Sequence, residues 1–378
     1  MKLDSENFPL RPAWTEIDLG KLRRNLQFVR ADLPKHVRLM AVVKDEAYGH
    51  GALDVGRRAQ EHGINWFVTA HLQEALGLKP AVDGAKIVVM GVVAPNAVTT
   101  LYAQDIIPII TSEEHAVALN AEAGAHGLRL PVHVKLDTGM GRLGFTWLEA
   151  AEVLPRVCAL QNLDIQGVCS HFAAVDPDDP ARAGVQLERF ANIRALLEQQ
   201  LGRRLFAHMS ASRAFLHLPE GLFDAVRIGI LLFGYGAGAF QNELPLRPAL
   251  QWKTRVIQVK SVPADFPVGY YGSWRSSQPT DIATIALGYD DGYLRALSNK
   301  GHVLIRGARR PVVGRVSMNW ITVDCGANSG VRVGDEVVLL GRQEKEEIWA
   351  DELAGLCGTI AYEILTCIHP HLERRYSG

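Results

Sequence analysis

Up to about residue 240, short apolar runs alternate with stretches whose apolar residues recur every three or four positions. The runs are VRLMAVVK (37–44), NWFVTA (65–70), KIVVMGVV (86–93), DIIPII (105–110), LPVHVKLDTG (130–139), LDIQGVCSHF (163–172), LFAHMSAS (205–212) and AVRIGILLFGY (225–235). A strand buried on both faces needs near-continuous apolar character, so these are expected to be parallel strands. Pro108 weakens the fourth, because proline cannot donate to a ladder. Between the runs, Asp18 is placed to cap a helix in which Leu19, Leu22, Leu26, Val29 and Leu33 share a face, with Pro34 as the stop. Leu187, Phe190, Ile193, Leu197 and Leu201 mark another helix, ended by Gly202. Thr111-Ser-Glu-Glu opens a third, with acids in its first turn.

Eight strands alternating with helices over this length predict an eight-stranded parallel (β/α)8 barrel, with a doubly wound open sheet as the competitor. From about residue 250 the texture changes. TRVIQVKSV, ATIALGY, HVLIRGARRPVVGRVSM, WITVDCG and DEVVLLG are short, β-branched and divided by turn residues, which predicts a mainly β C-terminal domain. A last amphipathic stretch, 350 to about 368, reads as helical. The expected division is 1–245 for the barrel and 246–378 for the β domain, with the first residues able to pair with the latter.

Composition narrows the function classes. The chain has 378 residues, with 40 Lys+Arg against 41 Asp+Glu, and that balance calls for neither nucleic acid nor an anionic membrane. No segment approaches the roughly 20 apolar residues of a membrane span, and the opening MKLDSENFPLRPAW carries no secretory signal pattern. Five widely spaced cysteines without a C-x-x-C pair support neither a disulfide framework nor a zinc ribbon, so a cytoplasmic location is expected. No metal site is expected, since the histidines show no ligand spacing. GYGAGA (234–239) lacks the full dinucleotide-loop pattern, and DPDDP (176–180) reads as a solvated turn.

Barrel chemistry gathers at the C-terminal tips of the strands, and Lys44 ends the first run there. Taken alone, it could be a solvated cation capping a strand. A partly desolvated ammonium, however, loses its proton more readily and becomes a nucleophile toward carbonyls, the behaviour of a Schiff-base lysine. The surrounding AVVKDEAYGHG resembles the pyridoxal-phosphate lysine motif of the bacterial alanine racemase family. VKLDTGMGRLGF (134–145), CSHF (169–172), HMSAS (208–212), VRIGILLFGY (226–235), VGYYGSW (268–274), GYDDGYLR (288–295), GRVSMNW (314–320) and TIAYEIL (359–365) follow in that family's order, after an opening RPAWTEIDL. Together they span nearly the whole chain.

The resemblance implies a pyridoxal 5′-phosphate-dependent amino-acid racemase, interconverting L- and D-alanine by a two-base mechanism and supplying D-alanine for peptidoglycan. It also implies a homodimer whose sites are shared between subunits. Lys44 would hold the cofactor aldehyde, with Tyr48, Ser212, Gly229, Ile230 and Tyr362 around its phosphate. Arg227 would face the pyridine nitrogen, keeping it unprotonated because a guanidinium is always cationic. Lys44 and Tyr270 would be the two bases, Tyr270 coming from the partner subunit and needing positive charge nearby, which His171 and Arg142 could supply. Arg142 and the Met318 N–H would hold the substrate carboxylate, Lys135 would carry a carbamate, and Tyr289 and Arg295 would line the entrance.

This chain departs from the family's usual residues at Ala211, Tyr271, Asn319, Ala361 and the pair Asp45-Glu46. These leave open a racemase of serine or of a broader set of small amino acids. A barrel that binds pyridoxal phosphate without turnover is the alternative from another class; it would be a barrel alone, without the second domain that carries Tyr270 and Met318.

Overall fold

The computed structural model describes residues 11–236 and 244–378; the first ten residues and part of GYGAGA lie outside them. All eight expected barrel strands form. Their order is Ile106–Ile110, Lys86–Val89, Trp66–Thr69, Arg38–Val42, Ala225–Ile228, Phe206–Ala211, Leu163–Cys169 and Leu130–Asp137. Every neighbouring pair is parallel. The last strand returns to the first through Ile109↔His133 and Ile110↔Val134, which closes the barrel and excludes the open doubly wound sheet. Pro108 is accommodated because pairing of its strand with Leu130–Asp137 begins only at Ile109.

Met40, Val68, Val88, Ile107, Ile109, Cys169 and Ala225 fill the barrel interior, while the helices bury their apolar faces against the outside of the sheet. Asp18 accepts from the Lys21 N–H at 2.9 Å to cap the helix Leu19–Ala31. Ser112 caps Glu113–Ala125 in the same manner. The helix Ala181–Leu201 ends at Gly202, whose φ of 63° is the left-handed stop that glycine favours.

The second unit is built on the strand Leu250–Val262, which alternates buried and part-exposed residues over its first half. It pairs antiparallel with Glu336–Gln343 and Thr280–Ile285, and also with the N-terminal strand Trp14–Asp18. Trp14–Asp18 in turn pairs in parallel with the C-terminal strand Glu373–Ser377. Chain start and chain end thus meet in one sheet. The 350–368 stretch is two helices, Ala350–Cys357 and Ala361–Thr366, because Gly358 takes φ 71° between them. Among the described residues, no helix is long and apolar enough to cross a membrane.

Candidate active site

A cavity of about 570 Å³ opens at the C-terminal ends of the barrel strands. Its lining includes Lys44, Tyr48, Lys135, Arg142, His171, Ser212, Arg227, Gly229, Ile230 and Tyr362. Ten of the expected site residues, scattered over more than 300 positions, therefore meet in one place.

Lys44 begins an unusual turn. Asp45, Glu46, Ala47 and Tyr48 have φ of 52°, 53°, 51° and 56°, four successive non-glycine residues in the left-handed region. Each such residue costs roughly 1–2 kcal/mol, so surrounding bonds must hold the turn. Glu74 accepts from the Asp45 N–H at 2.6 Å, and its other oxygen accepts from Ala70 and His71. Arg374 donates to the Gly49 carbonyl at 3.1 Å and Tyr376 to that of His50 at 3.2 Å. The buried His50 ring stacks on Phe233, with centroids 4.4 Å apart. The turn delivers Lys44 to the cavity, where its ammonium lies 2.9 Å from Asp45, and swings Tyr48 to the floor beneath Gly229. A Cβ on Gly229 would lie 2.5 Å from the Tyr48 hydroxyl, so only glycine allows this approach. The Gly229 N–H donates to Ser212 Oγ at 3.2 Å. Tyr48 and Tyr362 pack with centroids 5.9 Å apart, and burial pushes the Tyr362 hydroxyl up to about 12. Hydroxyls that stay protonated, beside backbone N–H groups in a concave loop, suit a phosphate.

Arg227 is buried, and no carboxylate among the described residues pairs with it. One terminal nitrogen donates to His208 Nδ1 at 2.8 Å and to its carbonyl; the other donates to the Ser170 and Met209 carbonyls and to His171 Nδ1 at 3.0 Å. Nε is left facing the cavity as a donor available to a ring acceptor. Burial lowers this group to about 10, still cationic near neutral pH.

The donated bonds fix the imidazoles behind it. His208 accepts at Nδ1, so its Nε2 carries the proton and donates to His133 Nδ1 at 3.0 Å. His133 then bears its proton on Nε2, which has no partner. Burial and the Arg227 charge hold His171 down at about 3. His171 thus supplies a neutral Nε2–H donor and not the positive charge the sequence suggested for it; Arg142 remains as the cation of that pair. His133 and His208 were missed in the sequence. The signal was the two-residue period that puts His133 on the same strand face as Lys135.

Lys135 is buried, and desolvation lowers it to about 8 despite the neighbouring Cys169 and Asp137. Its ammonium donates to the Leu136 carbonyl at 2.9 Å. A Cβ on Gly144, at φ 113°, would sit 2.5 Å from the Lys135 carbonyl oxygen, which accounts for that glycine in GRLGF. Asp137 accepts from the N–H groups of Gly139, Met140 and Arg142 at 2.8–2.9 Å and so folds the loop that presents Arg142.

Tyr270, Met318, Tyr289 and Arg295 do not line this cavity. They lie on the surface of the β unit, with Tyr270 62% and Met318 53% exposed. Tyr289 and Met318 are adjacent there, since the Asp290 N–H donates to the Met318 carbonyl at 2.9 Å. Tyr271, 90% exposed, takes φ 62°; the family's usual glycine would hold this conformation without strain, and here Arg315 stacks over the tyrosine ring at 5.0 Å.

Residues 17–237 match the family model for the alanine racemase N-terminal domain, and residues 249–376 that for its C-terminal domain. An alanine racemase of Syntrophobacter fumaroxidans is 41% identical over 94% of this chain and 95% of its own. The crystal structure of alanine racemase from D-cycloserine-producing Streptomyces lavendulae superposes with a TM-score of 0.91 at 35% identity, covering 98% of each chain. That of Bartonella henselae, solved with covalently bound pyridoxal phosphate, gives 0.86 at 28% identity over 98% of this chain and 100% of its own.

Proposed function

The chain belongs to the alanine racemase family, and from that membership we propose that it interconverts L- and D-alanine with pyridoxal 5′-phosphate held at Lys44. The observation that carries this reading is one cavity holding Lys44, a hydroxyl-and-amide cradle and a buried, carboxylate-free Arg227 whose Nε–H is available. The residues fit the group: Tyr48, Ser212, Gly229, Ile230 and Tyr362 would hold the phosphate, and Arg227 would face the ring nitrogen.

When bound, pyridoxal phosphate withdraws electrons from the amino acid's Cα and makes its hydrogen removable as a proton. Arg227, cationic near neutral pH, would leave the ring nitrogen unprotonated and so favour return of the proton to Cα. Lys44 Nζ takes or gives the proton on one face. Tyr270 of the partner subunit does so on the other, consistent with its exposure and its distance from the cavity of its own chain. Arg142 and the Met318 N–H orient the substrate carboxylate, and Tyr289 and Arg295 line the approach. Lys135, with an amine partly neutral near pH 8, is suited to add carbon dioxide and become an anion beside Arg142. The chain divides into a cofactor-binding barrel, 1–245, whose strand Trp14–Asp18 joins the sheet of the second unit, and a β unit, 246–378, and acts in the cytoplasm to supply D-alanine for peptidoglycan.

The purified protein is expected to absorb visible light through the Lys44-bound cofactor and to abolish the optical rotation of L-alanine, with L-serine as the comparison substrate. A coloured protein that leaves both amino acids unchanged would replace this reading with that of a cofactor-binding barrel. Carbon-13 bicarbonate should give a carbamate NMR signal that Lys135→Met removes.

A further inference from the structure

The phosphate cradle assembled from Tyr48, Ser212, Gly229, Ile230 and Tyr362 offers hydroxyls and backbone N–H groups but no charge. A phosphate dianion gains most from charge-assisted bonds, and a guanidinium matches its oxygens with a rigid fork. Directly after Ser212 the chain places Arg213. This residue is half-buried and lines the same cavity as the cradle. Its Nε donates to the carbonyl of Val175, another cavity residue, which restrains the long side chain before any ligand arrives. Its charge also reaches the cradle: burial raises the Tyr362 hydroxyl, and Arg213 acts against that rise.

We propose that Arg213 supplies a cation to the phosphate cradle, so that this chain recognises the phosphate of its cofactor by charge as well as by hydroxyls and backbone N–H groups. The proposal rests on reading the cavity as a pyridoxal-phosphate site. It makes Arg213 a binding residue for the phosphate end alone, with no part in proton transfer at Cα.

The test uses full-length wild type, Arg213→Met and Arg213→Lys, freed of cofactor with hydroxylamine and titrated with pyridoxal phosphate or with pyridoxal, which lacks the phosphate. Binding is read from the visible absorption of the Lys44-linked ligand. Arg213→Met is expected to weaken pyridoxal phosphate about tenfold and to leave pyridoxal within about twofold, with Arg213→Lys between. Added salt should erode the wild type's preference for the phosphorylated ligand more than the Met variant's. An unchanged preference in Arg213→Met, with wild type still colouring, overturns the proposal. Equal loss of both ligands also overturns it, since that marks Arg213 as a prop for the Val175 loop. Wild type that binds neither ligand overturns the reading of the cavity itself and the proposal with it.

Discussion

At the scale of single residues, Arg227 shows how a buried cation is kept without a counter-charge. Its terminal nitrogens find three carbonyls and two imidazole nitrogens, and those imidazoles stay neutral because burial and the guanidinium itself oppose their protonation. Direction along the relay is fixed: Arg227 donates to His208, which donates to His133. Removing the middle acceptor leaves a buried donor unsatisfied, at about 1–3 kcal/mol. His208→Phe should therefore lower stability to urea by that amount. With the guanidinium less firmly held, a larger share of turnovers should end in pyruvate, measured with lactate dehydrogenase. His208→Gln, which can offer an acceptor oxygen, should restore part of both. Loss of stability without any change in the pyruvate share would mean that His208 is a packing residue only.

At the scale of elements, the turn after Lys44 holds its left-handed backbone through bonds from distant segments. Glu74 lies 29 positions away in sequence and Tyr376 lies 326 from the carbonyl it binds. Tyr376→Phe removes one hydrogen bond, about 1 kcal/mol, and should speed loss of the coloured cofactor on dilution several-fold while moving the melting temperature little. Glu74→Ala removes the acceptor for three backbone N–H groups and should cost about 2 kcal/mol in urea unfolding as well as cofactor occupancy. The barrel strands were legible because a strand buried on both faces must be apolar along its length; Asp18 announced its helix by cap chemistry, and Thr111-Ser-Glu-Glu announced another by the acids of its first turn. The lysine turn was not legible as left-handed: Asp45, Glu46 and Ala47 have no local reason to take positive φ, and the cause lies in Glu74 and the C-terminal strand. The His133–His208 pair was hidden for a similar reason, since its partner Arg227 arrives from another strand.

At the scale of the whole molecule, two consequences follow from burial and exposure. Burial lowers His50 to about 4 and His133 and His171 to about 3, and also lowers His208. Once unfolded, these imidazoles take up protons below about pH 6.5, while the folded protein resists until about pH 4 or lower. The unfolded state then binds more protons, so stability is full above about pH 6.5 and declines as pH falls toward 4. The slope reaches up to about 1.4 kcal/mol per pH unit for each histidine. Urea midpoints should thus drop clearly between pH 7.5 and 5; equal midpoints would contradict the burial of these neutral rings.

The other consequence concerns Tyr270, which is exposed in one chain and absent from the cavity that holds Lys44. On the proposed roles two copies would be needed to complete a site, and hybrid dimers test this directly. One subunit would carry Lys44→Ala and the other Tyr270→Ala, with a different affinity tag on each so that only hybrids are recovered. Each homodimer should be inactive. The hybrid retains one site built from an intact Lys44 and an intact Tyr270 of opposite subunits, and should show about half of wild-type racemisation. A hybrid dimer as inactive as its parents, with cofactor bound at its one intact Lys44, would contradict the account.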